Sequence, residues 1–164
     1  MKITAKRLRQ LLHYDPQTGL FRWRVGRPGF RRDMDGQTAG YRESVGGRIS
    51  VTVEYGVYRA HRLAWLYMTG RWPIGEIDHK DGDASNNRWT NLREVSRGVN
   101  QQNMRRPHKD NAAGFLGVVQ RGDRFRASIC VNRKRHYLGA YETPEAAHAA
   151  YVRGKRRLHE GCTL

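Results

Sequence analysis

The segment Ile77–Asn100 constrains the fold of this chain more than any other part, because strong turn signals there surround a pair of chemically active residues. It opens with the adjacent pair Asp78–His79 and continues through Asp-Gly, Asn-Asn and Ser residues, which are typical of a loop. Leu92–Val95 is short and suited to a strand, and Ser96 is a favourable N-cap for a helix over residues 97–105. The pattern therefore predicts one compact strand–loop–strand–helix unit.

The polar side chains of this unit suit the hydrolysis of a phosphodiester bond. That reaction needs a base to activate water and a cation, held by ligands, to stabilise negative charge. Histidine exchanges protons near neutral pH, so His79 is the candidate base. Carboxylate and amide oxygens suit Mg²⁺ or Mn²⁺, so Asp78 and Asn100 are candidate ligands of a divalent ion. Asn91 is expected to bond the loop backbone and hold the two arms together.

Two simpler interpretations compete with the catalytic one. An Asp-His pair in a polar loop is usually only solvated, and a run such as Asp81–Asp83 also occurs in calcium-binding loops. The EF-hand spacing fails, however, because the twelfth residue counted from Asp81 is Leu92 rather than a glutamate. The catalytic interpretation is favoured because all four candidate residues, Asp78, His79, Asn91 and Asn100, occur together in one unit with the turn signals between them.

These residues resemble the Asp-His…Asn…Asn form of the HNH, or ββα-metal (His-Me finger), nucleases. The similarity extends to Asp81–Asp83, to Asn86–Arg88, and to Ala60–Ala64, which looks like the helix that precedes the motif in phage and intron-encoded members. The resemblance implies the family roles for the four polar residues: His79 as general base, Asn91 as the structural middle residue, and Asp78 and Asn100 as ligands of one divalent ion. Arg93 and Arg97 are nearby candidates for phosphate contact.

The charge of the chain indicates a polyanionic partner. Its 164 residues include 31 Lys and Arg against 15 Asp and Glu, which gives a formal net charge of +16. Double-stranded DNA is the first candidate partner, and a membrane surface is the alternative. The sequence has no long apolar segment and no signal-peptide core, so we expect no membrane association and no secretion. The resemblance to phage-encoded nucleases implies a cytoplasmic location in a bacterial host or a phage-infected cell.

The chain has two cysteines, Cys130 and Cys162, and no Cys-x-x-Cys motif. A disulfide framework is therefore not expected, although a single bridge between these two residues stays open. The cysteine ligands of the structural zinc found in some HNH proteins are missing, so no zinc is expected.

Residues 1–56 are predicted to form an N-terminal region with one helix and antiparallel strands that contacts DNA. A helix is expected over residues 5–13, and alternating apolar residues predict strands at Phe21–Val25 and Ile49–Val53. The arginines that alternate in the first strand either contact DNA or face solvent, and the sequence leaves this open. Between the strands, Gly26–Gly47 is rich in glycine and arginine and is predicted to be a loop with short strands.

The remaining chain is predicted to contain the HNH core at residues 57–105, a basic linker at 106–113 and a second domain at 114–164. Three strand-like stretches in the second domain are separated by turns, and Thr143–Glu145 begins a helix with a cap, a proline and an acid. We therefore expect a three-stranded antiparallel sheet backed by one helix. The face of the sheet away from the helix would carry basic and aromatic residues suited to DNA: Arg121, Arg124, Arg126, Arg133, Arg135 and Tyr137.

The second domain resembles the Apetala/ethylene-response-factor (ERF) DNA-binding domain, in which the sheet enters the major groove. The similarity lies in Gly117–Val118, Phe125–Ile129, Leu138–Ala147 and Ala150–Tyr151. Arg121, Ser128, Arg135 and Tyr137 match groove-facing positions, whereas Val119 and Cys130 stand where plant members usually have arginine. The plant site preference is therefore not transferred.

The sequence as a whole predicts an α+β protein: small N-terminal antiparallel strands, a ββα-metal nuclease core and a sheet-based DNA-binding domain. Pairing of the two resemblances in one chain looks like phage-type homing endonucleases. The predicted function is metal-dependent cleavage of DNA by a monomer or weak dimer. The alternatives are a non-cleaving, sequence-specific transcriptional regulator and a basic RNA-binding protein, although no RNA-stacking motif is present.

Overall fold

The computed structural model describes residues 2–24, 36–54, 56–104, 107 and 109–163. The chain divides into two compact units, Met1–Ser96 and Arg97–Leu164. Residues 26–35 of the predicted glycine- and arginine-rich loop lie outside the described residues. The same holds for residues 105, 106 and 108, at and near the predicted linker. Within the described ranges, no helix is both long and apolar enough to span a membrane.

The first unit is a mixture of short helices and short antiparallel strands. Its elements in chain order are α1 (Ala5–Leu11), β1 (Leu12–Asp15), β2 (Leu20–Trp23), β3 (Thr38–Ala39), β4 (Tyr41–Arg42), β5 (Ile49–Val53), β6 (Gly56–Arg59), α2 (Ala60–Thr69), β7 (Glu76–His79) and β8 (Leu92–Val95). In the described part of the chain the strands form the sheets β1-β2-β3, β4-β5-β6 and the hairpin β7-β8.

The two helices of this unit begin and end at the residues that local physical chemistry favours. The Thr4 side chain accepts a hydrogen bond from the Arg7 N–H and caps α1. Helix α2 ends at Gly70, which adopts a left-handed conformation with φ of 78° and donates its N–H to the Leu66 carbonyl at 3.0 Å. A residue with a Cβ would adopt this terminal conformation at a cost.

A single hydrophobic core runs through the first unit. Leu8, Tyr14 and Phe21 from the N-terminal region are buried in one cluster with Leu63 and Leu92 from the predicted HNH core. The ring centroids of Tyr14 and Phe21 are 4.9 Å apart. Residues on both sides of the predicted boundary at position 56 therefore contribute to the same core, and the boundary itself stays a prediction.

The second unit consists of a short helix, an antiparallel sheet and a longer helix. Its elements are α3 (Arg97–Gln102), β9 (Val118–Arg121), β10 (Arg124–Val131), β11 (Lys134–Tyr141) and α4 (Pro144–Leu158). The sheet has the order β11-β10-β9, and α4 packs on it through a core that includes Val118, Ala127, Ile129, Ala147 and Tyr151. Helix α4 has the predicted start, because the Thr143 hydroxyl accepts the Ala146 N–H at 3.2 Å.

The mixed α+β class and the small antiparallel sheets are confirmed, with differences at the ends of elements. Helix α1 ends at Leu11 rather than at residue 13, and α3 ends at Gln102 rather than at 105. Arg121 is the last residue of β9 and pairs with Arg124 across the hairpin. Cys130 and Cys162 are free thiols, so the bridge that the sequence left open is absent.

Candidate active site

The hairpin β7-β8 presents Asp78 and His79 to opposite faces. In the antiparallel register Asp78 lies opposite Arg93, and His79 lies opposite Leu92. Adjacent strand residues alternate between faces, so the two side chains point into different surroundings. Both are buried, with 6% of Asp78 and 8% of His79 exposed, so their neighbours decide what each can do.

Asp78 is held by the side chain of Arg93. The Nε and a terminal nitrogen of Arg93 donate to the same carboxylate oxygen, Oδ2, at 2.9 and 2.7 Å. These charge-assisted hydrogen bonds bring a positive charge to the buried carboxylate. The guanidinium that the sequence predicts to contact DNA is thus engaged with Asp78 in this structure, and its contact with DNA stays a prediction.

His79 is oriented by the amide of Asn87. Its Nε2 lies 3.1 Å from Asn87 Oδ1, and the Asn87 Nδ2 donates to the Ser85 carbonyl at 3.2 Å. Because Nδ2 is the donor in that second bond, Oδ1 is left as the acceptor and His79 Nε2 carries the hydrogen. In the neutral imidazole the lone pair then lies on Nδ1. Asn87 was not singled out by the sequence, which offers nothing to distinguish it from Asn86.

Asn87 is supported in turn by the N-terminal hairpin. The Tyr14 hydroxyl donates to the Asn87 carbonyl at 2.6 Å in a buried setting. Burial raises the pKa of Tyr14, so its hydroxyl keeps the proton that this bond uses. Gly19, with φ of 76°, packs directly against the backbone of Asn87 and Arg88. A Cβ on Gly19 would stand 2.4 Å from the Asn87 carbonyl carbon and 2.5 Å from the Arg88 nitrogen. These contacts join the β1-β2 turn to the loop that holds His79.

His61, the second residue of α2, contacts the ring of His79. The two ring centroids are 5.2 Å apart and the planes lie at 81°. Burial, followed by the positive charges of His79, Arg48, Arg62 and Arg59, lowers the pKa of His61 to about 3. Its Nδ1 has no hydrogen-bond partner within the described part of the chain. The structure thus places a buried histidine against the candidate base.

Asn91 joins the two arms of the loop. Its Oδ1 accepts the Asp81 N–H at 3.0 Å, and its Nδ2 donates to Asp81 Oδ1 and to the Asn86 carbonyl at 3.0 and 2.8 Å. Burial alone would raise the pKa of Asp81, but the bonds from the Asp83 N–H, Asn91 and Asn86 outweigh it, and the pKa is lowered. The loop is thus closed by a charged acceptor that stays ionised.

The four motif residues are divided between the two units. Asp78, His79 and Asn91 lie on or beside the hairpin of the first unit, whereas Asn100 lies in α3 of the second, where it is half-buried. Arg97, at the start of α3, is exposed. Among the described residues, no group of three or more His, Cys, Asp or Glu side chains is arranged to hold a metal ion.

The sheet of the second unit has an open face opposite α4. Register pairs Arg121 with Arg124, Val119 with Arg126, Ser128 with Tyr137, and Cys130 with Arg135 across neighbouring strands, so these residues share a face. Tyr137 is 64% exposed. Arg133 lies in the β10-β11 turn with φ of 66° and is also exposed. All six residues predicted for this face are exposed: Arg121, Arg124, Arg126, Arg133, Arg135 and Tyr137.

Comparison with known proteins identifies the class of the first site. Residues 58–102 match the family described as HNH endonuclease, a segment that starts before α2 and ends with α3. The protein is therefore a nuclease, and this segment is its HNH endonuclease domain. The predicted resemblance is confirmed for this part of the chain. The likeness of the second unit to the ERF domain stays a prediction.

A solved structure, "DNA binding and cleavage by the HNH homing endonuclease I-HmuI", is similar over 92% of this chain and 88% of that chain. The sequence identity is 19% and the TM-score is 0.44. No curated protein matches the chain.

Proposed function

We propose that the protein is a divalent-metal-dependent DNA endonuclease of the phage or homing type, directed to DNA by the open sheet face of its second unit. The observation that carries the proposal is the oriented His79 beside Asp78 on one hairpin, within the segment that matches HNH endonucleases. Neither a solvated Asp-His pair nor a calcium loop accounts for a buried histidine held by a buried amide.

His79 is the proposed general base. Its Nε2–H donates to Asn87, and Nδ1 is the atom proposed to take a proton from the attacking water. His61 remains neutral beside it, so no second positive charge on that ring opposes protonation of His79 during the reaction. Asn91 keeps the loop closed so that the base stays in one orientation.

Asp78 and Asn100 are the proposed ligands of one Mg²⁺ or Mn²⁺ ion. The donor set fits such an ion, because both residues offer hard oxygen atoms and because Asp78 already accommodates the positive charge of Arg93. When bound, the ion would supply a Lewis acid that stabilises negative charge on the phosphate and the leaving oxygen. Arg93 and Arg97 are proposed phosphate contacts.

The open sheet face is proposed to supply DNA affinity and some sequence preference. Its exposed arginines suit phosphates and guanine edges, and Tyr137 adds an exposed aromatic surface. The formal net charge of +16 supports a polyanionic partner of this kind. We expect a monomer or weak dimer, and because one chain carries one proposed active site, cutting both strands would require a dimer or two successive cuts.

The test is cleavage of supercoiled plasmid with Mg²⁺, Mn²⁺ or EDTA, using His79→Ala and, as the matched control, the exposed His13→Ala. DNA fragments that the protein retains in a gel shift are first cloned into the plasmid, so that a rare target is present. We expect metal-dependent conversion to open circle, slowed about 10²- to 10⁴-fold in His79→Ala and unchanged in His13→Ala.

Linear product would indicate paired cuts. Clean binding of the selected DNA with no cleavage in any metal would contradict the proposal and favour the non-cleaving DNA-binding regulator. Loss of DNA affinity in His79→Ala would count against a purely catalytic role for that residue.

A further inference from the structure

The C-terminal segment Gly161–Thr163 lies against the end of α3 within the second unit. The Gly161 N–H donates to Gln102 Oε1 at 2.9 Å, and the Thr163 hydroxyl donates to Asn103 Oδ1 at 2.5 Å. Asn103 is buried, with 6% of its surface exposed. Two residues at the end of α3 therefore each have a partner about 60 positions further along the chain.

Gly161 makes this approach possible because it has no side chain. A Cβ at this position would stand 2.3 Å from the Val99 carbonyl oxygen and 3.0 Å from Gln102 Cβ. The nearest atom belongs to the helix backbone, which cannot turn aside as a flexible side chain can. Any other residue at position 161 must therefore move the C-terminal segment and α3 apart.

Helix α4 and the sheet hold the same region in place. Lys155 is only 1% exposed, and its ammonium donates to the Met104 carbonyl, just beyond α3. His159, two residues before the C-terminal segment, has its Nε2 2.9 Å from the Cys130 carbonyl, and this contact ties the end of α4 to β10. The end of α3 is thus connected through Gly161–Thr163 and α4 to the sheet whose open face carries the arginines.

Helix α3 depends on support of this kind. It has six residues and none of them is buried, and helices this short are marginal in water without outside contacts. The Asn103 N–H donates to the Asn100 carbonyl at 3.1 Å, so fixing Asn103 also fixes the backbone of Asn100. By sequence, α3 is the last element of the HNH match, but by packing it belongs to the second unit.

We propose that the segment Gly161–Thr163 positions α3, and with it Asn100, so that cleavage depends on the second unit for more than DNA affinity. This inference rests on the proposed function, in which Asn100 supplies an oxygen ligand. Its distinguishing consequence is kinetic: loosening the segment lowers the cleavage rate on fully bound DNA and leaves the affinity for DNA unchanged.

The experiment uses full-length Gly161→Ala and Thr163→Val, with Thr163→Ser as the variant that keeps the hydroxyl and the exposed Glu160→Ala as the neighbouring control. Amide hydrogen exchange at residues 101–104 reports on the end of α3. Single-turnover cleavage, with the protein in saturating excess over the plasmid, reports on the rate, and a gel shift in EDTA reports on the affinity. Thr163→Val removes the hydroxyl that donates to Asn103, and in Gly161→Ala the new Cβ meets the Val99 carbonyl and displaces the segment from Gln102. Each change weakens one hydrogen bond to the end of α3, which predicts about tenfold faster exchange and about tenfold slower cleavage.

DNA affinity and exchange in the β10 amides should stay within about twofold of the wild type, because no sheet contact is removed. Thr163→Ser and Glu160→Ala should behave as wild type. Unchanged exchange at residues 101–104 in both test variants overturns the proposal, as does faster exchange with an undiminished cleavage rate. If the wild type cuts no DNA, the proposed function is wrong, and so is the proposed dependence of cleavage on the second unit. The exchange data alone then decide whether the segment positions α3.

Discussion

Replacement of Asn87 by alanine tests the orientation of His79 directly. The change removes the acceptor 3.1 Å from His79 Nε2 and leaves a buried N–H without that partner. An unsatisfied buried donor costs about 1–3 kcal/mol. Without this bond, returning the His79 ring to its active orientation adds a similar amount to the activation free energy. Each 1.4 kcal/mol of activation free energy lowers the rate about tenfold. We expect single-turnover cleavage about 10- to 100-fold slower, with DNA affinity unchanged.

The matched control is Asn86→Ala, in the same loop and of the same residue type. The Asn86 side chain donates to Asp81 Oδ2 at 2.6 Å and accepts from the Arg88 N–H. Its hydrogen bonds are thus made to the loop and not to His79. Both variants lose loop hydrogen bonds, so both should unfold at temperatures a few degrees lower, at about 2–4 °C per kcal/mol. Only Asn87→Ala should lose most of its cleavage rate.

The assay is single-turnover plasmid cleavage beside thermal unfolding and a gel shift in EDTA. A folded Asn87→Ala protein that cleaves within about threefold of the wild-type rate would refute the reasoning, since about 1 kcal/mol corresponds to more than that. Equal slowing in Asn86→Ala would refute it in a different way, because the loop as a whole rather than the contact with His79 would then matter.

Two further predictions concern residues that contact this loop and the base. In Gly19→Ala the new methyl meets the Asn87 backbone at 2.4 Å, so we expect an unfolding temperature several degrees lower and slower cleavage; wild-type melting would contradict this. The pKa of His61 is about 3 in the folded protein and about 6.5 when unfolded, so its neutral form contributes stability above pH 6.5 that is lost as pH falls towards 3. As pH falls over this range, the unfolding free energy of the wild type should decrease more steeply than that of His61→Phe, by about 1 kcal/mol per pH unit. Equal slopes for the two proteins would contradict the lowered pKa of His61.

Local sequence was sufficient for the parts of the site that lie close together along the chain. Asp78, His79 and Asn91 share one hairpin and its loop, and their turn signals, spacing and chemistry could be read without any long-range information. The start of α4 was equally local, since Thr143 caps it through a bond to a residue three positions later. Short-range hydrogen bonding of this kind is encoded in adjacent residues.

The rest of the site depends on contacts between distant residues. His61 meets His79 from a preceding helix, and Gly19 supports Asn87 from a turn 68 positions upstream. A lone histidine or a glycine after a turn carries no local signal for such a role, because only the tertiary packing determines what it touches. The pairing of Arg93 with Asp78 follows from strand register, which a shift of one residue would abolish.

The single core of the first unit bears on how such a chain can be recombined with others. Leu8 and Phe21 are buried with Leu63 and Leu92, so a fragment that starts at residue 57 would expose apolar surface that the N-terminal region now covers. A junction at residue 96 would preserve that core but transfer α3 to the incoming partner, together with the last element of the HNH match. A chimaera that exchanges the second unit therefore has to import a compatible α3 along with the new sheet.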